Sequence, residues 1–382
     1  MRLSTDTATL TEALGWVTRF LPPSRVPILN TVLLEAAKKR LSITGFDGDT
    51  GAKVHIDATV EEAGKALVSG HLLADIAKTL PGGGTVSLAT GGTGLEVVCG
   101  GNRFTLQTLP DDEYPPLPQM PPQVGVVAGA DLAGLATRVG VAAGKDDMLP
   151  VYQGVQVEAG AGMLRMTATD RYRAATGQVG FTAEDGAVLK TVAPWRVLRD
   201  VARAVGDAEV TLCGDGHLIG FRADSREVVT RLLDAELPST AQVFAIKDGA
   251  TLLVDTAELA SGATRARLVS ERNTPMTVTL GDGEVVLEAA TGDMASGEIR
   301  VDAVIDVHPG EGDAPVARVG VNPGYLLDAL AAVGARYTKV TFGVEVGPCW
   351  LQGVDSPDGA PDRDGYLHVI MLMRLGERED MP

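Results

Sequence analysis

Cysteine, aromatic residues and positive charge are all scarce in this 382-residue chain, and each shortage excludes something. Its three cysteines, Cys99, Cys213 and Cys349, are odd in number, far apart and without a CxxC pair, so they make neither a disulfide framework nor a zinc site and read as buried thiols. No stretch reaches the about 18 consecutive apolar residues of a membrane-spanning helix, and the start MRLSTDTATLTEALGW lacks the apolar core of a signal peptide. A cytoplasmic protein with no membrane partner is expected. Lys+Arg number 33 against 50 Asp+Glu, a formal net charge of −17. Phosphates are therefore repelled on average, which argues against non-specific coating of nucleic acid or anionic lipid.

Enzyme signatures are missing too. There is no GxxxxGK[ST], HExxH or GxSxG, and PGGGTVSLATGGTG misses the GxGxxG spacing and sits between strands as a turn. DGDTG from Asp47 fails as a calcium loop, because Gly51 and Ala58 stand where an oxygen ligand and a Glu are required. The histidines His55, His71, His217, His308 and His368 share no spacing. No catalytic residue, metal or cofactor is expected.

What the chain does have is a repeat. RLSITGFDGDTGAKVHID from Arg40, MLRMTATDRYRAATGQVG from Met163 and EVVLEAATGDMASGEIRV from Glu284 each read as alternating strand, polar turn, alternating strand, with Leu41, Leu164 and Val286 spaced 123 and 122 residues apart. A second marker, an amphipathic helix followed by a Gly or Pro stop and a strand, starts at Val68, Val192 and Val321. A third, a first helix, begins near Asp6, Ala128 and Val254. The six prolines between Pro110 and Pro122 form an extended linker, and LDAELPSTAQV near Pro238 is a weaker boundary. Three α+β domains at 1–122, 123–246 and 247–382 follow, each with two helices on one face of antiparallel sheet.

Against the acidic background stands APWRVLRDVARAVGDAEV, Ala193 to Val210. Arg196, Arg199 and Arg203 recur at i, i+3 and i+7 and share one helical stripe, while Leu198, Val201, Ala202 and Val205 take the other side.

RFTLQTLPDDEYPPLP (Arg103 to Pro118), VYQGVQVEAGAGMLRMTATDRYRAA (Val151 to Ala175) and YLHVIMLMRL (Tyr366 to Leu375), in this order, resemble the bacterial DNA polymerase III beta subunit, the sliding clamp, and its actinobacterial members most. The resemblance spans nearly the whole chain and agrees with the threefold repeat. It implies a non-enzymatic processivity factor: a head-to-tail homodimer whose six domains ring duplex DNA, helices inward. DNA-facing residues would be Arg196, Arg199 and Arg203, with Arg138 and Arg265 on first helices, Lys78 on a second helix and Arg25 in the turn PPSRVPIL. They would touch phosphates and leave bases unread, so the ring slides. The resemblance also implies a pocket between the second and third domains for short peptides of the replicative polymerase, clamp loader, other polymerases and repair proteins. Its walls would be Tyr152, Thr169, Arg171, Tyr172, Arg173, Ala174, Pro238, Gln242, Val243, Val369, Ile370, Met371, Leu372, Met373, Arg374 and Leu375. Without the resemblance, VIMLM reads as an ordinary core strand.

The pocket departs from the family pattern. Arg171 and Tyr172 replace a Gly and a His, Ala174 a Leu, Leu372 a Pro and Gln242 an Arg, and the tail GEREDMP runs past the usual end. This raises the expectation of a variant clamp whose pocket excludes a cyclic-peptide antibiotic while admitting polymerase peptides. The competing class is a repeat scaffold that binds protein only.

Overall fold

A computed structural model describes all residues except 22–26, 93, 113, 147, 248, 272–273, 292–293, 308–317, 344–345, 360, 362–364 and 376–382. The three repeated hairpins form where the alternation puts them. Arg40–Phe46 pairs with Thr50–Asp57, Met163–Thr169 with Arg173–Gly180, and Glu284–Thr291 with the first part of Ala295–Val307, all antiparallel. Buried and outward residues alternate along Glu284–Thr291 and the first halves of Arg40–Phe46 and Met163–Thr169, whose last four residues are all buried.

Helices form at both repeated markers: α1 (Thr7–Val17), α2 (Gly70–Thr79), α3 (Gly129–Gly140), α4 (Trp195–Ala202), then a short α5 (Ala241–Phe244), α6 (Thr256–Leu268) and α7 (Pro323–Val333). Their starts are written in the sequence. Asp6, Ser69, Asp255 and Asn322 each accept a backbone N–H of the first turn. In Asp6 the Thr9 N–H holds the carboxyl below its usual range. Helix α7 stops at Gly334, whose φ of 65° is the left-handed cap that glycine adopts without strain.

The chain folds into two compact units. The first comprises Met1–Ala133, Ala159–Gly162 and Phe181–Leu232, the second Gly134–Glu158, Met163–Gly180 and Leu233–Pro382. The middle repeat is thus divided between them. In the first unit, Thr50–Asp57 of the first repeat pairs with Arg226–Arg231, the last strand of the second. In the second unit, Arg173–Gly180 of the second repeat pairs with Leu367–Met371, the last strand of the third. The same junction, second hairpin strand against the next repeat's last strand, is therefore used twice.

Among its described residues the proline-rich segment forms neither helix nor strand, and it is packed rather than free. Leu117 lies against Gly51, where a Cβ would come within 2.9 Å of its Cδ2, and Met120 lies over Gly220, where a Cβ would sit 2.2 Å from its Sδ. The sheet admits the linker because those two positions carry no side chain.

Candidate functional site

In the first unit, α4 buries Val197, Leu198, Val201 and Ala202 and leaves the arginines outside. The helix proper ends at Ala202; Arg203 is its cap residue, its N–H still bonded to the Arg199 carbonyl, so the stripe is unbroken. Arg196 donates from Nη2 to Asp47 Oδ2 at 3.3 Å and to the Phe20 carbonyl at 3.5 Å. The other Asp47 oxygen accepts the N–H groups of Asp49 and Thr50, so the DGDTG stretch is a hydrogen-bonded turn. Arg199 and Arg203 share the buried Asp200, at 3.2 Å and 3.9 Å, and Arg203 remains 65% exposed. A cation that sequence reasoning missed, Arg19, joins Arg199, Asp200 and Arg203 around a hollow of about 520 Å³. The signal was a basic residue near the end of the first-helix marker that begins at Asp6, in the one-turn Thr18–Phe20 segment after α1.

The remaining candidates differ. Lys78 is exposed at the end of α2, paired with Asp75 at 2.9 Å, and Arg265 is exposed on α6. Arg25 lies outside the described residues. Arg138 does not extend into the open. Its guanidinium lies 4.3 Å from the centre of the Tyr366 ring and donates to the carbonyls of Ala332 and Val333 at the end of α7. That end carries partial negative charge, so the arginine serves as a tie inside the second unit.

The carried-over pocket residues gather in the second unit. Ala174, Trp350, Leu367 and Val369 form a buried cluster, with Val243 and Phe244 of α5 packed on it. Trp350 donates from Nε1 to the Val243 carbonyl at 2.8 Å and so fixes α5 to the sheet. This tryptophan went unnoticed in the sequence; it lies in the strand Pro348–Val354, where Cys349, Trp350 and Leu351 are buried in succession and no alternation singles it out. Val369 and Ile370 are wholly enclosed because Leu367–Met371 is paired on both sides, so the VIM stretch is indeed a core strand, and exposure begins at Met371. Leu372 is buried, Met373 and Leu375 half-buried, and Pro238, Gln242 and Arg374 exposed.

At the hairpin turn, Asp170 accepts the N–H groups of Tyr172 and Arg173, and Thr169 donates its hydroxyl to the Arg173 carbonyl. Arg173, only 4% exposed, bonds Asp170 at 2.9 Å and Asp328 of α7 at 2.6 Å, and stacks 4.5 Å from the centre of Tyr325. Burial, then the Asp170 charge, raises the Tyr325 hydroxyl. Arg171 has a φ of 81° and stands 5.6 Å from the ring centres of both Tyr152 and the exposed Tyr172. Beneath, His368 is fully buried: Nδ1 meets the Tyr366 hydroxyl at 3.0 Å, Nε2 has no partner, and burial, reinforced by the Arg173 charge, lowers it to about 3. No group of three or more His, Cys, Asp or Glu able to hold a metal occurs among the described residues. No described helix is long and apolar enough to cross a membrane.

The N-terminal, central and C-terminal domain patterns of the DNA polymerase III beta subunit match residues 1–118, 127–239 and 241–363. The chain belongs to that family. It is a member of the sliding clamps, non-catalytic processivity factors of DNA replication. It is 37% identical to the beta sliding clamp of Streptomyces coelicolor over 98% of this chain and 100% of that one. It is 34% identical, with the same two coverages, to the beta sliding clamp homolog GriR of Streptomyces muensis. In fold it matches the crystal structure of the DNA polymerase III subunit beta from Pseudomonas aeruginosa, TM-score 0.88 at 23% identity over 98% of this chain and 100% of that one. A griselimycin-bound clamp of the same organism matches at TM-score 0.87, 23% identity and the same coverages.

Proposed function

We propose that two copies of the chain close head to tail into a ring that encircles duplex DNA, and that the ring tethers partner proteins by short peptides at the cluster around Val369. The observation that carries the ring is the junction between repeats. It is made twice within one chain, and each use consumes a second hairpin strand and a last strand. Three repeats leave one of each over. The unused last strand is Asn102–Gln107, outermost in its sheet. The unused hairpin strand is Ala295–Asp302, which among the described residues pairs only with Glu284–Thr291 on its other side. Unlike edges that complement each other make a heterologous interface, which closes when the rotation per junction permits. Leu268 supports this: it is 82% exposed at the end of α6, beside Val269, which lies against Gly297. An apolar side chain that size next to an open edge is suited to a partner.

The stripe Arg196, Arg199 and Arg203 supports the DNA reading. Duplex DNA carries about one negative charge per 1.7 Å, so the surface around it must gather cations even on an acidic chain. Lys78 on α2 and Arg265 on α6 are exposed too, and the same role is proposed for each. The mass in solution tests the ring. It should be twice 39.7 kDa, and Leu268→Asp should reduce it to the single-chain value; a wild type that is monomeric at micromolar concentration contradicts the proposal.

Arg171 favours a second reading for the pocket. A non-glycine residue at this φ is strained by about 1 kcal/mol, and its side chain occupies the space between two tyrosines. We infer that Arg171, with Tyr172, Ala174, Gln242 and Leu372, reshapes the pocket so that a cyclic-peptide antibiotic is excluded while a linear polymerase peptide enters. Arg171→Gly should raise affinity for the cyclic peptide more than for the linear one. Equal, ordinary affinities in the unmodified protein would remove this reading.

A further inference from the structure

Arg19 makes no hydrogen bond or ion pair among the described residues. Its turn, Thr18–Phe20, is fixed by its neighbours: Trp16 and Phe20 are buried and meet edge to face at 5.3 Å, and Arg19 between them is exposed. Arg196 ties that turn to α4 through the Phe20 carbonyl. The result brings Arg19 to the hollow lined by Arg199, Asp200 and Arg203. Asp200 accepts Nε and Nη2 of Arg199 at 3.2 and 3.5 Å and faces Nη1 of Arg203 at 3.9 Å. A single carboxylate against three guanidinium groups leaves this hollow positive inside a chain of net charge −17.

We propose that the hollow seats a phosphate group of the DNA backbone, with Arg19 as the third arm of the grip. The proposal rests on the reading of the chain as a ring around DNA and adds a discrete contact to it. Guanidinium forks match phosphate oxygens two at a time, and each carries five N–H donors, far more than Asp200 satisfies. At about 520 Å³ the hollow has room for the phosphate, part of its sugar and bridging water. Guanidinium groups engaged with phosphate oxygens leave the base edges unread, so the seat accepts any sequence. Asp200 orients two of the arms and removes part of the charge, which keeps the grip weak enough for salt and motion to release it.

Fluorescence anisotropy of the full-length protein with a short duplex, from about 25 to about 200 mM KCl, tests this; Arg19→Ala should lower the slope of log affinity against log salt by about 0.9, the loss of a single phosphate contact. Arg19→Lys should recover most of that slope. Arg222→Ala, which removes a cation paired with Glu227 on a strand away from the hollow, should leave it unchanged. An unchanged slope for Arg19→Ala beside a lowered slope for Arg196→Ala overturns the seat and spares the ring. A wild type without any salt slope overturns both. Saturable phosphorus-31 line broadening of inorganic phosphate, lost in Arg19→Ala while the duplex slope stays wild-type, assigns the hollow to a free anion and overturns the DNA seat.

Discussion

Arginine is used in opposite ways in the two units. On α4 in the first unit, Arg196 and Arg203 are solvent-exposed and share carboxylates loosely, at 3.3 and 3.9 Å. At the hairpin turn of the second unit, Arg173 is enclosed, held by two carboxylates and stacked on Tyr325. Exposed, half-paired guanidiniums contribute little to folding but are available to a polyanion, and their effect is screened by salt. An enclosed, fully paired one is part of the fold, and salt scarcely reaches it. Residue type alone therefore says little about function; the number of partners says more.

The largest effect expected from breaking this contrast is at α4. Replacing Arg196, Arg199 and Arg203 by Ser should lower the salt slope of duplex binding by about 2 to 3, which over the decade from 0.1 to 1 M salt is on the order of 100- to 1,000-fold in affinity. Peptide binding should stay near wild type, while thermal stability should fall, because the buried Asp200 loses both of its guanidinium partners. A clamp should lose loading efficiency and keep peptide binding, whereas a protein-only scaffold would lose neither of these two, so unchanged behaviour in a loading assay favours that class.

Next is Arg173→Met. It leaves Asp170 without its charge partner and should destabilise the second unit by about 3 kcal/mol in denaturant titration, nearly independent of salt. A cost that vanishes at high salt would mean the two arginine environments differ less than their geometry indicates.

His368 gives the smallest effect. Its folded value of about 3 lies below the ordinary 6.5, so the fold favours the neutral ring. Stability from this group is complete above pH 6.5 and is lost as pH falls toward 3, at up to about 1.4 kcal/mol per pH unit. His368→Leu should flatten the fall in melting temperature between pH 7 and pH 5. An equally steep fall in that variant would place the acid sensitivity elsewhere.

Much of this was legible in the sequence. Alternation and the Asp-containing turns located all three hairpins, and cap residues such as Asp255 and Asn322 marked helix starts. The α4 stripe was readable because helical spacing fixes direction locally. What escaped notice depends on distant partners. Arg138 looks like any helix-surface arginine until Tyr366 and the end of α7 arrive beside it. Arg19 and Trp350 carry no periodic signal, and they matter only because Arg199 and Val243 come to meet them. The packing of the proline segment was not legible because the glycines that receive it, Gly51 and Gly220, lie far away in the chain.

Topology offers the most direct test of encirclement. Protein assembled around a nicked circular plasmid should co-elute with it in gel filtration and fall off once a single cut makes the circle linear, because a closed ring slides from a free end. Equal retention on circular and linear DNA would mean that the chain grips the duplex from one side, and the ring would be contradicted.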